Sequence, residues 1–204
     1  MTLFDCTSVN IPIENGSLTY FPEFIAPKEA KTLFQKLQEE LNWQQDQIHV
    51  YGRSVMIPRL NAWYADESQN YGYSGTALTH NPWSPELLSI KKRVEDISHH
   101  QFNGMLANLY RDGQDSVSWH SDDEPELGPN PVIASVSLGE SRRFSLKHRF
   151  NKQLKPVHLE LESGSLLIMA GSTQHYWHHQ VAKSRKPLGA RINLTFRKIL
   201  SISS

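Results

Sequence analysis

Near its end the chain reads Arg191-Ile192-Asn193-Leu194-Thr195-Phe196-Arg197, which alternates polar and apolar side chains. Successive side chains of an extended strand point to opposite faces, so the stretch predicts a strand with one polar and one apolar face. Burying a guanidinium alone is costly, and its planar fork suits a carboxylate. Arg191 and Arg197 therefore predict a dicarboxylate held between them or, on an edge strand, ion pairs with surface carboxylates.

Short β-like runs separated by turn residues continue this pattern backwards to about Gly104. Eight runs can be read, at residues 105–110, 116–120, 132–138, 143–147, 157–161, 165–169, 177–181 and 190–197. Runs at this spacing favour two packed sheets or a barrel over an alternating arrangement of helices and parallel strands. The second half of the chain is therefore predicted to be mainly β.

Two helices are predicted before these runs. Pro27 suits the first position of a helix, and it is followed by an apolar stripe with steps of three and four residues: Ala30, Leu33, Phe34, Leu37 and Leu41. Ser84-Pro85-Glu86 supplies an N-cap, a start and an acidic first turn, followed by a second stripe: Leu87, Ile90, Val94 and Ile97. We expect both helices to pack against a sheet, which gives a mainly β protein with flanking helices (α+β).

Residue types that bind iron occur at suitable spacings. His120 and Asp122 are two apart, so both reach the same side of an extended chain, and a distant cluster contains His175, His178 and His179. Two imidazoles and one carboxylate leave adjacent positions on Fe(II) open for a co-substrate and O2. The competing interpretation is that the His-x-Asp pair and the histidine cluster are hydrogen-bonded surface residues.

The residues predicted to bind the dicarboxylate and those predicted to bind the metal are expected to line one pocket. Asn108 and Tyr110 share one face of the run 105–110, and they offer an amide and a phenol to a small acid. A dicarboxylate such as 2-oxoglutarate would also satisfy the two arginines. We therefore expect a pocket that holds iron together with a keto acid.

Length and composition restrict the remaining possibilities. The 204 residues carry no net charge and have a pI of about 7.2, so any nucleic-acid-binding surface must be local. We expect one domain over 1–204, with an N-terminal extension at 1–103 and the β core at 104–200.

Cys6 is the only cysteine, which excludes an internal disulfide. No leader or membrane-spanning run is evident, so we expect a cytoplasmic protein, or a nuclear one in a eukaryote. We also expect a monomer.

Several motifs together resemble the AlkB family of Fe(II)/2-oxoglutarate nucleic-acid demethylases over most of the chain. They are Pro58-Arg59-Leu60, Asn108-Leu109-Tyr110, residues 119–127 (Trp-His-Ser-Asp-Asp-Glu-Pro-Glu-Leu), residues 134–139 and residues 191–197. The resemblance implies a double-stranded β-helix, a jelly-roll relative. It assigns iron to His120, Asp122 and His179, with His178 as the rival third ligand, and 2-oxoglutarate to Asn108, Tyr110, Arg191, Asn193 and Arg197.

The resemblance also implies contacts with a damaged base. The segment 49–76 interleaves aromatic residues with arginines, and we expect Tyr51, Arg59, Tyr71 and Tyr73 to bind nucleic acid. Trp63 and Tyr64 in the same segment suit half-buried strand positions. In relatives an aromatic residue and the first histidine ligand sandwich the base, and the matching pair is Tyr73 and His120. Asp123 and Glu124 match positions at the base edge, unless they form a solvated acidic turn.

Two further segments bear on strand preference. Val50-Tyr51-Gly52 matches the position of an apolar finger in a duplex-acting relative, where it fills the gap left by a flipped base; the alternative is an ordinary hairpin turn. Lys183, Arg185 and Lys186 match a basic loop that grips the opposite strand. Other segments look closer to a relative that prefers single strands.

The function expected from these features is oxidative demethylation of 1-methyladenine and 3-methylcytosine in alkylated DNA, with release of formaldehyde and succinate. One alternative is demethylation of RNA, or hydroxylation of a protein, at the same iron centre, since the site chemistry does not determine the macromolecule. Another alternative is a jelly-roll binding module without catalysis.

Overall fold

Two antiparallel sheets form the body of the protein. The computed structural model describes residues 7–50, 53–66, 71–73, 76–78 and 80–200. In that part of the chain the larger sheet has seven strands, in the spatial order β1 (Val9–Ile11), β2 (Ser17–Phe21), β13 (Leu166–Ala170), β10 (Ile133–Gly139), β15 (Arg191–Arg197), β8 (Gly104–Tyr110) and β5 (Leu60–Ala65).

The smaller sheet faces the larger one. Its four described strands run in the order β12 (Val157–Leu161), β11 (Arg142–His148), β14 (Trp177–Val181) and β9 (Val117–His120). Two hairpins lie outside both sheets, β3 (Gln47–Val50) with β4 (Arg53–Met56) and β6 (Tyr71–Tyr73) with β7 (Thr76–Leu78). This arrangement confirms the predicted fold class, a mainly β protein with a double-stranded β-helix core and flanking helices.

All eight strands predicted after Gly104 are present, and none of their ends differs from the prediction by more than one residue. Three strands from earlier in the chain, β1, β2 and β5, belong to the same larger sheet. The sheet therefore continues across the expected boundary between 1–103 and 104–200. That division of the single domain stays a prediction.

The two predicted helices pack on the outer face of the larger sheet. They are α1 (Pro27–Glu40) and α2 (Pro85–Ser98), and the backbone N–H of Leu87 donates to Ser84 Oγ at 3.3 Å, as expected for an N-cap. Their apolar stripes share one core with strand residues that include Leu138 and Leu194. Each fully buried leucine contributes about 1.5 to 3 kcal/mol to folding. No helix in the described ranges has the length and apolar character to cross a membrane.

A second core lies between the sheets, and it positions the polar pocket. Leu106 and Ile133 of the larger sheet pack there against Phe144 and Leu146 of the smaller sheet. All seven residues of β15 are buried. Its apolar residues belong to the helix-side core, whereas its polar residues line a cavity between the sheets. The alternation read from the sequence is thus confirmed.

Candidate active site

A cavity between the two sheets brings the predicted site residues together. All eight residues predicted to bind iron or 2-oxoglutarate line it, together with Arg59 and apolar residues such as Phe144 and Met169. Of these eight residues, the larger sheet supplies those of β8 and β15, and the smaller sheet supplies those of β9 and β14, while Asp122 lies two residues after β9. Residues far apart in sequence therefore meet where the inward faces of the two sheets oppose each other.

Three side chains in this cavity form a potential metal site. One ligand atom each from His120, Asp122 and His179 lies within 4.8 Å of the other two. His120 ends β9 and pairs across the sheet with His179 of β14. His120 Nδ1 lies 2.8 Å from the carbonyl oxygen of Ser118. A neutral His120 that donates from Nδ1 keeps the Nε2 lone pair available for a metal.

Strand parity separates His179 from its neighbours in the histidine cluster. His179 is 4% exposed and points into the cavity, whereas His178 is half-buried and pairs in register with Lys147 on the next strand. His175 is exposed, and its Nε2 accepts a hydrogen bond from the Asn130 backbone at 3.4 Å. The geometry brings together the three residues that the resemblance assigns to iron.

Charges around the cavity keep these groups in the protonation states that bind a cation. Burial raises the pKa of Asp122, but electrostatic interactions with Arg197, His179 and His120 more than offset this effect, and the pKa falls to about 2. Arg197 Nη2 donates to Asp122 Oδ1 at 2.7 Å. Burial and the neighbouring His120 lower the pKa of His179 to about 3. At neutral pH the site therefore presents a carboxylate and neutral imidazoles.

Several buried polar atoms in the cavity have no hydrogen-bond partner among the described residues. They are Nδ1 of His179 and both Nε and Nη1 of Arg191, whose Nη2 donates to Ser137 Oγ at 2.9 Å. Buried polar groups normally have partners, so the two unpartnered N–H groups of Arg191 indicate a bound ligand. An imidazole beside a carboxylate suits a metal ion, and a guanidinium with two available N–H groups suits a carboxylate. The residues present thus fit both Fe(II) and 2-oxoglutarate.

The remaining predicted co-substrate residues are held in place by neighbours. Asn193 Nδ2 donates to Ser135 Oγ at 2.8 Å and to the Val136 carbonyl at 3.1 Å. Arg59, predicted to bind nucleic acid, is only 6% exposed, and its Nε donates to Asn108 Oδ1 at 2.8 Å. Arg59 therefore lies in the cavity wall, where it orients a predicted co-substrate residue.

The residues predicted to contact nucleic acid have varied surroundings. Asp123 is exposed and accepts a hydrogen bond from Arg149 at 2.8 Å, and Glu124 is half-buried beside it. The three basic residues predicted to grip a strand, Lys183, Arg185 and Lys186, are exposed and line a second groove with Arg143. Tyr51 lies outside the described residues. Tyr71 and Tyr73 lie in β6, and their side chains are outside the described part of the structure.

Three residues that support the site are not among those to which the sequence assigned a role. Gln174, in the short helix α3 (Thr173–Tyr176), is fully buried, and its Oε1 accepts from the Asp122 backbone N–H at 3.0 Å. Ser135 and Ser137 hold Asn193 and Arg191 from the neighbouring strand β10. The serines alternate with apolar residues in the run 132–138, so parity could have placed them on the pocket face. Gln174 has no such signal.

A triad that can bind iron, beside an arginine available to a carboxylate, is typical of oxygenases that use Fe(II) and 2-oxoglutarate. Comparison with known proteins supports this class. Residues 17–197 match the family model described as the 2OG-Fe(II) oxygenase superfamily. The solved structure of OsALKBH1 superposes with a TM-score of 0.63 over 93% of this chain and 100% of that one, and its 17% identity supports the fold alone.

Two relatives identify a family within this oxygenase superfamily. Bovine alpha-ketoglutarate-dependent dioxygenase alkB homolog 3 is 40% identical over 87% of this chain and 64% of its own length. Human DNA oxidative demethylase ALKBH2 is 39% identical over 84% of this chain and 69% of its own length. The chain therefore belongs to the AlkB family of Fe(II)/2-oxoglutarate dioxygenases. It spans just under two thirds of the alkB homolog 3 protein that it matches.

Proposed function

We propose that this protein removes N-methyl groups from 1-methyladenine and 3-methylcytosine in DNA. The supporting observation is the cavity in which the ligand atoms of His120, Asp122 and His179 lie within 4.8 Å of one another, beside the partly unpartnered Arg191. The similarity to a DNA oxidative demethylase supports the choice of DNA. The net reaction consumes O2 and 2-oxoglutarate and yields formaldehyde, succinate, carbon dioxide and the unmodified base.

In this proposal His120, Asp122 and His179 hold Fe(II), and the metal with its keto acid supplies the oxidation of the methyl C–H bond. Arg197 keeps Asp122 ionised through the 2.7 Å hydrogen bond. Gln174 fixes the backbone of the same aspartate. The protein thus maintains the arrangement of the ligands before the metal binds, which reduces the reorganisation needed when it does.

We assign the far carboxylate of 2-oxoglutarate to Arg191. Its Nε and Nη1 have no partner among the described residues, and Ser137 holds its Nη2. Tyr110, Asn108 and Asn193 line the same cavity. Apolar residues such as Leu106 and Met169 exclude water from the bound acid, which strengthens its ion pair with the guanidinium.

The methylated base must leave the helical stack to reach the cavity, either by flipping out of a duplex or by arriving on a single strand. We propose that Tyr73 and His120 sandwich the base, and that Asp123 and Glu124 meet its edge. A carboxylate favours a cationic methylated ring over the neutral unmodified base. Asp123 already accepts one hydrogen bond from Arg149, and a carboxylate can accept more.

The same proposal includes the surface that holds the strand. Lys183, Arg185 and Lys186 are exposed in one loop, where they would contact phosphates. We propose that Tyr51 occupies the space left by the flipped base, and the flanking strands β3 and β4 support this because they pair through Val50 and Arg53. We also propose that the protein acts in the cytoplasm, or in the nucleus of a eukaryote. We propose that it is a monomer, and light scattering in solution would test its molar mass.

The decisive experiment measures formaldehyde released from methylated oligonucleotides. We expect release from DNA that contains 1-methyladenine or 3-methylcytosine, only when Fe(II) and 2-oxoglutarate are both present, with one succinate formed per formaldehyde. The iron-free protein is the control. Single-stranded DNA, duplex DNA and RNA of the same sequence are compared in parallel.

Each alternative predicts a different result. Release from RNA with none from DNA would replace the proposed substrate with RNA. Succinate without formaldehyde from any oligonucleotide would favour a protein or another small substrate. Nucleic-acid affinity that is unchanged by iron, with no succinate at all, would indicate a binding module and overturn the proposal.

The basic loop makes a separate prediction about salt dependence. Neutralising Lys183, Arg185 and Lys186 to alanine should weaken duplex binding and lower the slope of log affinity against log salt by about 2 to 3, because each phosphate contact contributes about 0.9. Fluorescence anisotropy on an unmodified duplex at several salt concentrations measures the slope. The control removes three exposed lysines from the helices on the other side of the larger sheet: Lys28, Lys31 and Lys92. An equal effect of both triple variants would refute a specific role for the loop.

A further inference from the structure

Arg142 is a buried charge that the proposed chemistry does not use. It begins β11 and is 2% exposed, whereas the side chain of its neighbour Arg143 is 68% exposed and pairs with Glu160 at 3.1 Å. Burying a guanidinium is costly unless its donors are satisfied. The partners of Arg142 therefore indicate what this residue holds together.

Within the described residues, the side-chain hydrogen bonds of Arg142 go to main-chain carbonyl groups in two loops. Nη1 donates to Asp112 at 3.0 Å, and Nη2 donates to Asp115 and Ala182, each at 2.9 Å. The first loop joins β8 to β9 and the second joins β14 to β15. These four strands carry seven of the eight proposed iron and 2-oxoglutarate residues, and the eighth, Asp122, lies two residues after β9. Arg142 therefore connects the turns at one end of the site.

The two loops also pack directly on each other beside Arg142. The Ser184 backbone N–H donates to the Gly113 carbonyl at 2.7 Å, and Gln114 Nε2 donates to the Ser184 carbonyl at 2.9 Å. A Cβ on Gly113 would lie 2.9 Å from the carbonyl oxygen of Lys186, which is too close for any other residue without movement. The distance between the two loops is therefore closely defined, and the side chain of Arg142 forms hydrogen bonds to both loops.

Arg142 also contacts the co-substrate end of the cavity through an aromatic ring. Its guanidinium carbon lies 5.6 Å from the centre of the Tyr110 ring, and that of Arg191 lies 5.3 Å from the same centre. Tyr110 and Arg191 are also direct partners in the register of β8 and β15. Both distances fall within the range of cation–π attraction. The orientation of Tyr110 therefore depends on both arginines.

We propose that Arg142 is a positioning residue for 2-oxoglutarate. It fixes the ring of Tyr110 and the loops on either side, and thereby holds Arg191 where its available N–H groups meet the far carboxylate. This inference rests on the 2-oxoglutarate site proposed above. Lysine can replace Arg142 only in part, because a single ammonium lacks the planar fork that reaches carbonyl groups in two loops at once.

The test compares Arg142→Met and Arg142→Lys with Arg143→Met in the metal-loaded protein. Equilibrium binding of 2-oxoglutarate is measured by calorimetry with Mn(II) in place of iron, and turnover is measured with Fe(II). We expect Arg142→Met to weaken 2-oxoglutarate binding and raise its KM by about tenfold, with kcat changed by less than about threefold. Arg142→Lys should fall between wild type and Arg142→Met, and Arg143→Met should bind 2-oxoglutarate with wild-type affinity.

A merely structural role would lower the thermal unfolding midpoint and leave the 2-oxoglutarate affinity of the folded protein unchanged, which would overturn the inference. The same conclusion would follow if kcat fell while KM stayed constant. Should Arg142→Met fail to fold, the affinity of Arg142→Lys decides, and wild-type affinity there would also overturn it. A wild-type protein that binds no 2-oxoglutarate would refute the proposed site and this role together.

Discussion

Replacing His179 with alanine is expected to abolish turnover and metal binding, whereas His178→Ala should leave both close to wild type. His179 points into the cavity with a ligand atom within 4.8 Å of those of His120 and Asp122. His178 points to the other face of the same strand, beside Lys147. Loss of residues that only orient metal ligands already costs 10- to 100-fold, so loss of a ligand should cost more than about 100-fold.

The measurements are Mn(II) affinity by calorimetry and formaldehyde release with Fe(II). The two variants form a matched pair, since each removes one imidazole from adjacent positions of β14. Asp122→Ala should reproduce the effect of His179→Ala. Activity that survives His179→Ala but is lost in His178→Ala would show that the strand register in solution differs from the structure, and the assignment of the third ligand would then be wrong.

The sequence contains a signal that distinguishes His179 from His178 as the third metal ligand. This signal is the alternation of side chains along the strand, and the spacing between the ligands does not reveal it. The strand reads Trp177-His178-His179-Gln180-Val181, so His179 shares a face with two apolar residues and His178 shares a face with a glutamine. In a half-buried strand the apolar face is the buried one. Trp177 and Val181 are indeed buried. Parity therefore identifies the inward histidine once the strand is recognised.

Other features of the site depend on contacts that a sequence pattern does not encode. Arg59 lies in an arginine and aromatic segment that suits nucleic-acid binding, yet it is buried because β5 joins the larger sheet beside β8 and directs it toward Asn108. Gln174 lies 52 positions from the backbone it supports. Local periodicity predicts which face of an element is buried, but only the tertiary arrangement determines what that face meets.

Arg191→Met is expected to separate stability from co-substrate binding. Arg191 is 1% exposed, has two N–H groups without a partner among the described residues, and has a pKa that burial lowers to about 10. Each observation indicates that its charge is unfavourable in the folded protein without a ligand. Replacing a buried, poorly compensated charge with an apolar residue of similar length is often neutral or stabilises the fold by about 1 to 4 kcal/mol.

The same substitution should destroy most of the affinity for 2-oxoglutarate. Removing one partner of a buried ion pair typically costs about 3 to 5 kcal/mol, which corresponds to a loss of about 100- to 4,000-fold. Calorimetric titration with 2-oxoglutarate in the presence of Mn(II) measures this loss. Arg143→Met is the control, since the side chain of Arg143 is 68% exposed and lies outside the cavity.

Thermal unfolding with and without 2-oxoglutarate gives the sharpest comparison. A ligand that binds only the folded state stabilises it in proportion to the logarithm of its concentration over Kd. Without ligand, Arg191→Met should unfold at the same or a higher temperature than wild type, and saturating 2-oxoglutarate with Mn(II) should reverse that order. If Arg191→Met were less stable than wild type without ligand but kept its affinity for 2-oxoglutarate, Arg191 would stabilise the fold and would not bind the co-substrate. The two buried guanidinium N–H groups would then need a different partner from the one proposed.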